Sequence, residues 1–363
     1  TLFASLFFIS LVNFCFGQLN VDSLLKRPMA DLETIGLDEA GFDQDTLQKM
    51  WDRLAEETVY DLRSIIVIKE GKLAMEEYSN SFWRDNINDI RSATKSITAI
   101  LMGIAIDKGY VKGVEEKVFD FFPEYTADLT LTKAHKDIRI KHLLMMSSGL
   151  EADTDDLNTL GNSVRWVAKD NWLSYILALP MDYESGSKWV YTDVSPVLCA
   201  AIIKKQTGIG LEAFAKKHLF EPLGIQEYYW HKNTKGITSA MGNLYITGLD
   251  FAKIGAMVLD EGKWQNQQIL SKVFIDQMLS DQLLLPQFDP FPASYGYFWY
   301  RAELDVRGEK VRVHYATGNG GNKLFLVPAE DLVVAVQSSA YGQGYGHGRS
   351  NFILRSILRS VMD

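Results

Sequence analysis

The spacing of apolar residues divides the chain into elements. Phe42 to Thr58 repeats at the helical period. Leu62 to Ser79 alternates at period two on either side of Glu70-Gly71-Lys72, with Ile66 and Ile68 before the break and Leu73 and Met75 after it, which predicts a β-hairpin. The run from Thr94 to Gly109 is apolar nearly all round and ends in Lys108-Gly109, the pattern of a helix buried on every side, with its N-terminus at Ser92. From about 115 to 240 helical spacing predominates, broken at Pro123, Gly149, Pro180, Gly186 and Gly208-Ile209-Gly210, and predicts an all-helical block. A helix from Leu249 to Asp260 follows. Strands are expected at Val311 to Tyr315, Lys323 to Val327 and Leu332 to Gln337, then an amphipathic closing helix around Asn351 to Val361. The expected fold class is α/β of the α+β type: an antiparallel sheet flanked by helices and built from both ends of the chain, with the helical block inserted.

The first residues change the picture of where the protein works. Leu2 to Phe16 is an apolar run too short for a comfortable membrane span, and Cys15-Phe16-Gly17 offers a small-x-small cleavage site. Residues 1–17 are therefore expected to be a signal peptide whose start lies upstream of Thr1. Residues 18–40 are a polar lead segment, and 41–363 one catalytic-sized domain in a secreted or periplasmic protein. Cys15 lacks the small residues of a lipoprotein signal before it, so no stable membrane anchor is expected. Cleavage after Gly17 would leave Cys199 as the only cysteine, in the apolar run VLCAAII, where it reads as a small buried hydrophobe without a disulfide.

Composition narrows the partners. The 363 residues are 47% hydrophobic and 23% charged, enough for a large core. The net charge is -9 and the cations are scattered, which excludes a polyanion-binding stripe and makes nucleic acid an unexpected partner. A small molecule or short peptide is the expected substrate.

The candidate chemistry begins at Ser92-Ala93-Thr94-Lys95. A hydroxyl and an amine at i and i+3 share one face at the start of a buried helix. There the amine can relay the serine proton, the helix N-terminus favours developing negative charge, and the Ser92 N–H can face an oxyanion. Ser23-Leu24-Leu25-Lys26 has the same spacing but no buried helix behind it, and reads as accidental.

Further segments follow in a recognisable order: His142-Leu143-Leu144-Met145-Met146-Ser147-Ser148-Gly149-Leu150, Gly186-Ser187-Lys188-Trp189-Val190-Tyr191-Thr192-Asp193, Glu221-Pro222-Leu223-Gly224-Ile225, and Tyr315-Ala316-Thr317-Gly318-Asn319-Gly320-Gly321. With Ser92 and Lys95 this set resembles the serine β-lactamases and penicillin-binding proteins, in particular class C β-lactamases, DD-peptidases, family esterases and 6-aminohexanoate-dimer hydrolases, over roughly residues 40–360. The resemblance implies a β-lactamase/transpeptidase-like fold and a serine hydrolase that works through an acyl-enzyme on Ser92. It implies that Lys95 and Tyr191 move the serine proton and that the N–H groups of Ser92 and Asn319 form the oxyanion hole. Asp193, Thr317 and Gly318 would bind or orient substrate. It implies no metal and no cofactor.

Two departures from the family pattern refine this. Asp193 replaces the usual Asn of Tyr-x-Asn, and a carboxylate near Lys95 favours the ammonium form, which makes Tyr191 the stronger general base with the Lys95 cation stabilising its phenolate. Ala316 stands where a cation commonly holds a substrate carboxylate. An ester, or an amide, lacking a carboxylate at that end is therefore expected rather than efficient turnover of β-lactams or acyl-D-Ala-D-Ala peptides. Asp193 also sits where a helix N-cap for Val194 to Lys205 is expected.

The absence of a Gly-x-Ser-x-Gly elbow disfavours an α/β-hydrolase triad, and the absence of His-Glu-x-x-His and of cysteine clusters leaves no zinc site to propose. His142 reads as structural, while His314 lies beside the strand-end motif. Trp83, Trp189, Tyr297 and Trp299 read mainly as core, some of them lining an acyl pocket. The functional alternative is a non-catalytic member that binds or senses cell-wall peptides or β-lactams.

Overall fold

Eight antiparallel strands form the backbone of the protein, and both halves of the chain contribute to them. The computed structural model describes residues 32–362 apart from 128, 130 and 286–292; the expected leader and the first part of the lead segment lie outside the described residues. Helix α1, Gln44–Ala55, is capped by Asp43, whose carboxylate accepts from the N–H groups of Asp45 and Thr46. Strands β1, Leu62–Lys69, and β2, Lys72–Tyr78, form the expected hairpin. Lys69 pairs with Lys72, so the turn is only Glu70 and Gly71, both at positive φ. That conformation matches the right-handed strand twist.

Helix α2, Thr94–Asp107, is buried at every position from Thr94 to Ala105. The segment expected to be all-helical is less regular than its spacing suggests. Its one long helix is α3, Val194–Thr207, accompanied by short pieces such as Ile140–Leu144 and Trp172–Leu177. Tyr228–Trp230 is a strand, paired with Leu244–Ile246, which in turn pairs with Asn88–Asp89. Aromatic and β-branched residues at 228–230 and 244–246 favour extended backbone over helix. Helix α4, Gly248–Leu259, and helix α5, Lys272–Leu279, then lead back into the sheet.

The remaining strands are β3 (Leu283–Leu284), β4 (Ala293–Tyr295), β5 (Tyr300–Val306), β6 (Glu309–Gly318), β7 (Asn322–Val327) and β8 (Leu332–Ser338). Their order is β2-β1-β8-β7-β6-β5-β4-β3. The sequence reading missed β3, β4 and β5, although β5 alternates buried Tyr300, Ala302, Leu304 and Val306 with polar Arg301, Glu303 and Asp305. Helix α6, Tyr345–Val361, starts earlier than expected because Tyr345 to Gly348 lacks apolar spacing. Helix α4 packs on one face, where a Cβ on Gly255 would come within 2.8 Å of Leu324 and Val333. On the other face, Lys323 Nζ donates to Asn351 Oδ1 of α6 at 2.8 Å.

Cys199 is fully buried in α3, and burial pushes its thiol far up. Trp83, expected in the core, is 63% exposed. His314 is buried on β6, and burial, aided by Arg301 and Arg312, pushes its imidazole down to about 4 from 6.5. The unfolded chain therefore takes up a proton between pH 6.5 and 4 that the folded chain refuses. The resulting stability is fully present above about pH 6.5 and is lost as pH falls, by up to about 3 kcal/mol. We expect the gap in urea midpoint between wild type and His314→Gln to change between pH 7 and 4.5, with wild type losing more. An equal gap at both pH values would refute the assignment.

Candidate active site

Ser92 lies in a 3₁₀ turn, Arg91–Ala93, that feeds directly into α2. The turn is held from below by a buried carboxylate. Asp89, 1% exposed, accepts from the Arg91 N–H at 2.8 Å and from Asn243 Nδ2 at 2.9 Å, and pairs with Arg91 Nε at 3.2 Å. The Arg91 guanidinium also stacks on Tyr341, 4.2 Å from the ring centroid. This anchoring opposes a cost: Arg91 has φ +51°, a left-handed conformation that disfavours a side chain by about 1–3 kcal/mol.

One turn along α2, Lys95 is 2% exposed and its Nζ has several partners. It donates to Ser92 Oγ at 3.2 Å and to the Met241 carbonyl at 2.6 Å, and it pairs with Asp193 Oδ1 at 2.8 Å. The ammonium also lies 4.9 Å from the Tyr191 ring centroid. Burial works to lower the Lys95 pKa, but the Asp193 carboxylate and the Tyr191 side chain, which hydrogen-bonds it, outweigh that, and the net shift is upward. Lys95 is therefore an ammonium at neutral pH, donating to Ser92 rather than accepting from it.

Tyr191 and Asp193 reach Lys95 because two loops pin their backbone. The Val190 N–H donates to the Met146 carbonyl at 2.9 Å, the Thr154 N–H to the Tyr191 carbonyl at 2.9 Å, and the Asp193 N–H to Thr154 Oγ1 at 3.0 Å. Gly149 makes this docking possible: its φ is +83°, and a Cβ there would lie 2.3 Å from the Tyr183 carbonyl oxygen. Asp193 stands at the start of α3 but its side chain does not cap the helix. The Thr192 hydroxyl accepts from the Val194 N–H instead, and Asp193 is committed to Lys95.

The far wall is the end of β6. Gly318 lies against the nucleophile turn so closely that a Cβ would fall 2.0 Å from the Ile90 carbonyl oxygen and 3.1 Å from the Ala93 nitrogen. Ala316, two residues back on the same face, is fully buried. Thr317 is opposite Lys323 in the register, on the face of Tyr315, and its Oγ1 is buried without a hydrogen-bond partner among the described residues. Asn319 follows in the β6–β7 turn, where Gly320 and Gly321 take φ of +86° and +88°. Its peptide is fixed at two points, since its carbonyl accepts from Asn322 Nδ2 at 2.9 Å and its Oδ1 from the Gly342 N–H at 2.6 Å.

Several supporting residues had no sequence signal. A backbone carbonyl such as that of Met241 leaves no side-chain signature, Asn243 and Tyr341 are distant in sequence from the Asp89 and Arg91 side chains they hold, and Asp89 and Asn322, though close to Arg91 and Asn319, stand in no recognisable pattern. His142 is structural, its Nδ1 accepting from the Arg139 N–H at the start of Ile140–Leu144. His314 lies on the face of Ala316 and Gly318 but is buried. Tyr297 and Trp299 are core, while half-buried Trp189 packs edge-on against Tyr295 and tilted against Tyr191, lining the cleft beside it.

Comparison with known proteins gives the family and the fold. The family model described as Beta-lactamase matches residues 52–354. A putative D-alanyl-D-alanine carboxypeptidase of Escherichia coli (strain K12) is 24% identical over 221 residues, covering 55% of this chain and 50% of that protein. The chain thus spans about half the length of that curated relative. Among solved structures, a putative 6-aminohexanoate-dimer hydrolase from Bacillus anthracis superposes with a TM-score of 0.69 at 18% identity, covering 91% of this chain and 87% of that one. A family VIII carboxylesterase superposes with a TM-score of 0.67 at 15% identity, covering 86% and 97%. The eight-stranded antiparallel sheet with its flanking helices is the fold these structures share with it, and with the family model matching from α1 to α6, the chain belongs to the Beta-lactamase family.

Proposed function

We propose that this protein is a secreted or periplasmic serine hydrolase that cleaves an ester or amide bond through a Ser92 acyl-enzyme. The single observation that carries this reading is the meeting of Ser92, Tyr191 and Asp193 around the Lys95 ammonium, although a long stretch of chain separates Ser92 and Lys95 from the other two. Ser92 Oγ attacks the substrate carbonyl, its proton passing to the Tyr191 phenolate oxygen. The oxyanion is held by the N–H groups of Ser92 and Asn319. Collapse expels the alcohol or amine, protonated by Tyr191, and water then releases the acid by the reverse relay.

Relatives named as carboxypeptidase, dimer hydrolase and carboxylesterase support an acyl-transfer reaction without selecting among substrates. Ala316 supports a substrate without a carboxylate on the β6 side. The deciding experiment is covalent labelling with a fluorophosphonate followed by peptide mass spectrometry. We expect one adduct, on the Ser92 peptide, and none in Ser92→Ala. A folded wild-type protein that stays unlabelled would replace the enzyme with the non-catalytic binder.

A further inference from the structure

The carboxylate that steadies the Ser92 turn also holds a second turn, next to the acceptor of Lys95. Asp89 Oδ1 takes the Arg91 N–H at 2.8 Å, while Oδ2 takes Asn243 Nδ2 at 2.9 Å. Arg91 immediately precedes the nucleophile. Asn243 stands two residues after Met241, whose carbonyl accepts from Lys95 Nζ at 2.6 Å. Both Arg91 and Asn243 have left-handed backbone, at φ +51° and +61°. Asparagine visits that region readily and arginine does not, so the Arg91 conformation depends on what holds it.

The two turns are also close to each other. Asp89 is opposite Tyr245 in a short strand pair, and the Ile90 N–H donates to the Leu244 carbonyl at 3.0 Å. The segment from 240 to 244 is tied to α2 at each end, by Thr98 Oγ1 donating to the Ala240 carbonyl at 2.8 Å and by the Leu244 N–H donating to Thr94 Oγ1 at 3.4 Å. Between those ties Gly242 lies against Arg91, where a Cβ would be 3.7 Å from the Arg91 carbonyl oxygen. Asp89 thus supplies two fixed points, one beside Ser92 and one beside Met241. A carboxylate suits the task because both its oxygens accept, whereas an amide would turn an –NH₂ towards one of the two donors.

We infer that Asp89 is a positioning residue: by holding Arg91 and Asn243 on its two oxygens, it sets the approach of Ser92 Oγ to the Lys95 ammonium, 3.2 Å in this structure. The inference rests on the hydrolase reading above and adds to that site a buried residue that does not touch substrate. Its effect belongs in kcat rather than KM, since what it governs is the alignment of the reacting hydroxyl.

The test measures turnover of a p-nitrophenyl ester per site titrated to completion with a fluorophosphonate, so that unfolded protein is not counted. Asp89→Asn is expected to lower kcat per titrated site about 10²-fold, the cost of a misplacement of about 1 Å, with KM within about twofold of wild type. Asn243→Gly keeps the left-handed backbone and removes only the side-chain donor, and should lower kcat per site several-fold. The double variant should be no worse than Asp89→Asn alone, because the Asn243 effect runs through the same carboxylate. A merely structural role would reduce the number of titratable sites and the thermal midpoint at unchanged kcat per site. That result, or additive losses in the double variant, would overturn the inference and leave the hydrolase intact. Should Asp89→Asn fail to fold, Asn243→Gly decides alone, and unchanged kcat per site in it overturns the inference. If wild type neither labels nor turns over, the hydrolase reading falls and crystal structures of wild type and Asn243→Gly decide the positioning: a changed separation of Ser92 Oγ and Lys95 Nζ keeps it, and an unchanged one removes it as well.

Discussion

Tyr191→Phe is expected to lower kcat/KM on a p-nitrophenyl ester by about 10²–10⁴-fold, the range that a positioned general base contributes. The substitution keeps the ring, so the contact with Trp189 and the face presented to Lys95 persist. Only the hydroxyl is lost. The magnitude rests on the charge state of Lys95. An ammonium held by Asp193 and the Met241 carbonyl has no lone pair for the Ser92 proton, which leaves Tyr191 Oη, as the phenolate of the mechanism proposed above, to take it. Asp193→Asn would restore the residue usual in the family and remove the carboxylate that raises the Lys95 pKa, so the alkaline limb of the rate profile should move to lower pH. If Tyr191→Phe retained activity within a few-fold of wild type, the base would have to be sought elsewhere.

The second large effect is expected from Gly318→Ala. A methyl group placed 2.0 Å from the Ile90 carbonyl oxygen meets backbone rather than a movable side chain. Either β6 or the Ser92 turn must withdraw. Overpacking of this kind costs about 3 kcal/mol or more, and the turn cannot yield cheaply because Asp89 and Tyr341 clamp it. Movement of β6 carries the Asn319 N–H away from the oxyanion position, where loss of one donor costs about 10²–10³-fold in kcat. A drop in thermal midpoint together with a kcat defect is the expected pair of readouts. Full activity in Gly318→Ala would show that β6 is not the oxyanion wall.

Much of this architecture could be read from the chain because period and burial coincide there. The β1–β2 hairpin, α2 and strands β6 to β8 are strongly patterned, and the structure has them where the pattern predicts. Strands β3 and β4 are short, and the Leu283 to Tyr295 stretch carries too few alternations to register, so the far edge of the sheet was invisible. The middle of the chain looked helical because proline and glycine breaks there join short helices whose apolar spacing resembles that of long ones. At the site, Ser92 and Lys95 were legible from their spacing together with the buried helix behind them, which Ser23 and Lys26 lack, whereas Tyr191, Asp193 and Asn319 required resemblance, since nothing local to them indicates a distant lysine.

The strand order has a consequence for how the molecule is made. Leu62 of β1 is registered with Ser338 of β8, so the central seam of the sheet joins two segments far apart in the chain, β1 being translated well before β8. Until Ser338 has left the ribosome, the Ile65 to Ile68 stretch of β1 has β2 on one edge and no neighbour on the other. An unpaired apolar edge is a template for association with other chains. Contacts so distant in sequence also close slowly. An early β-hairpin waiting on a late strand makes nascent-chain handling, rather than the strength of the finished core, the point at which production of this protein is most exposed.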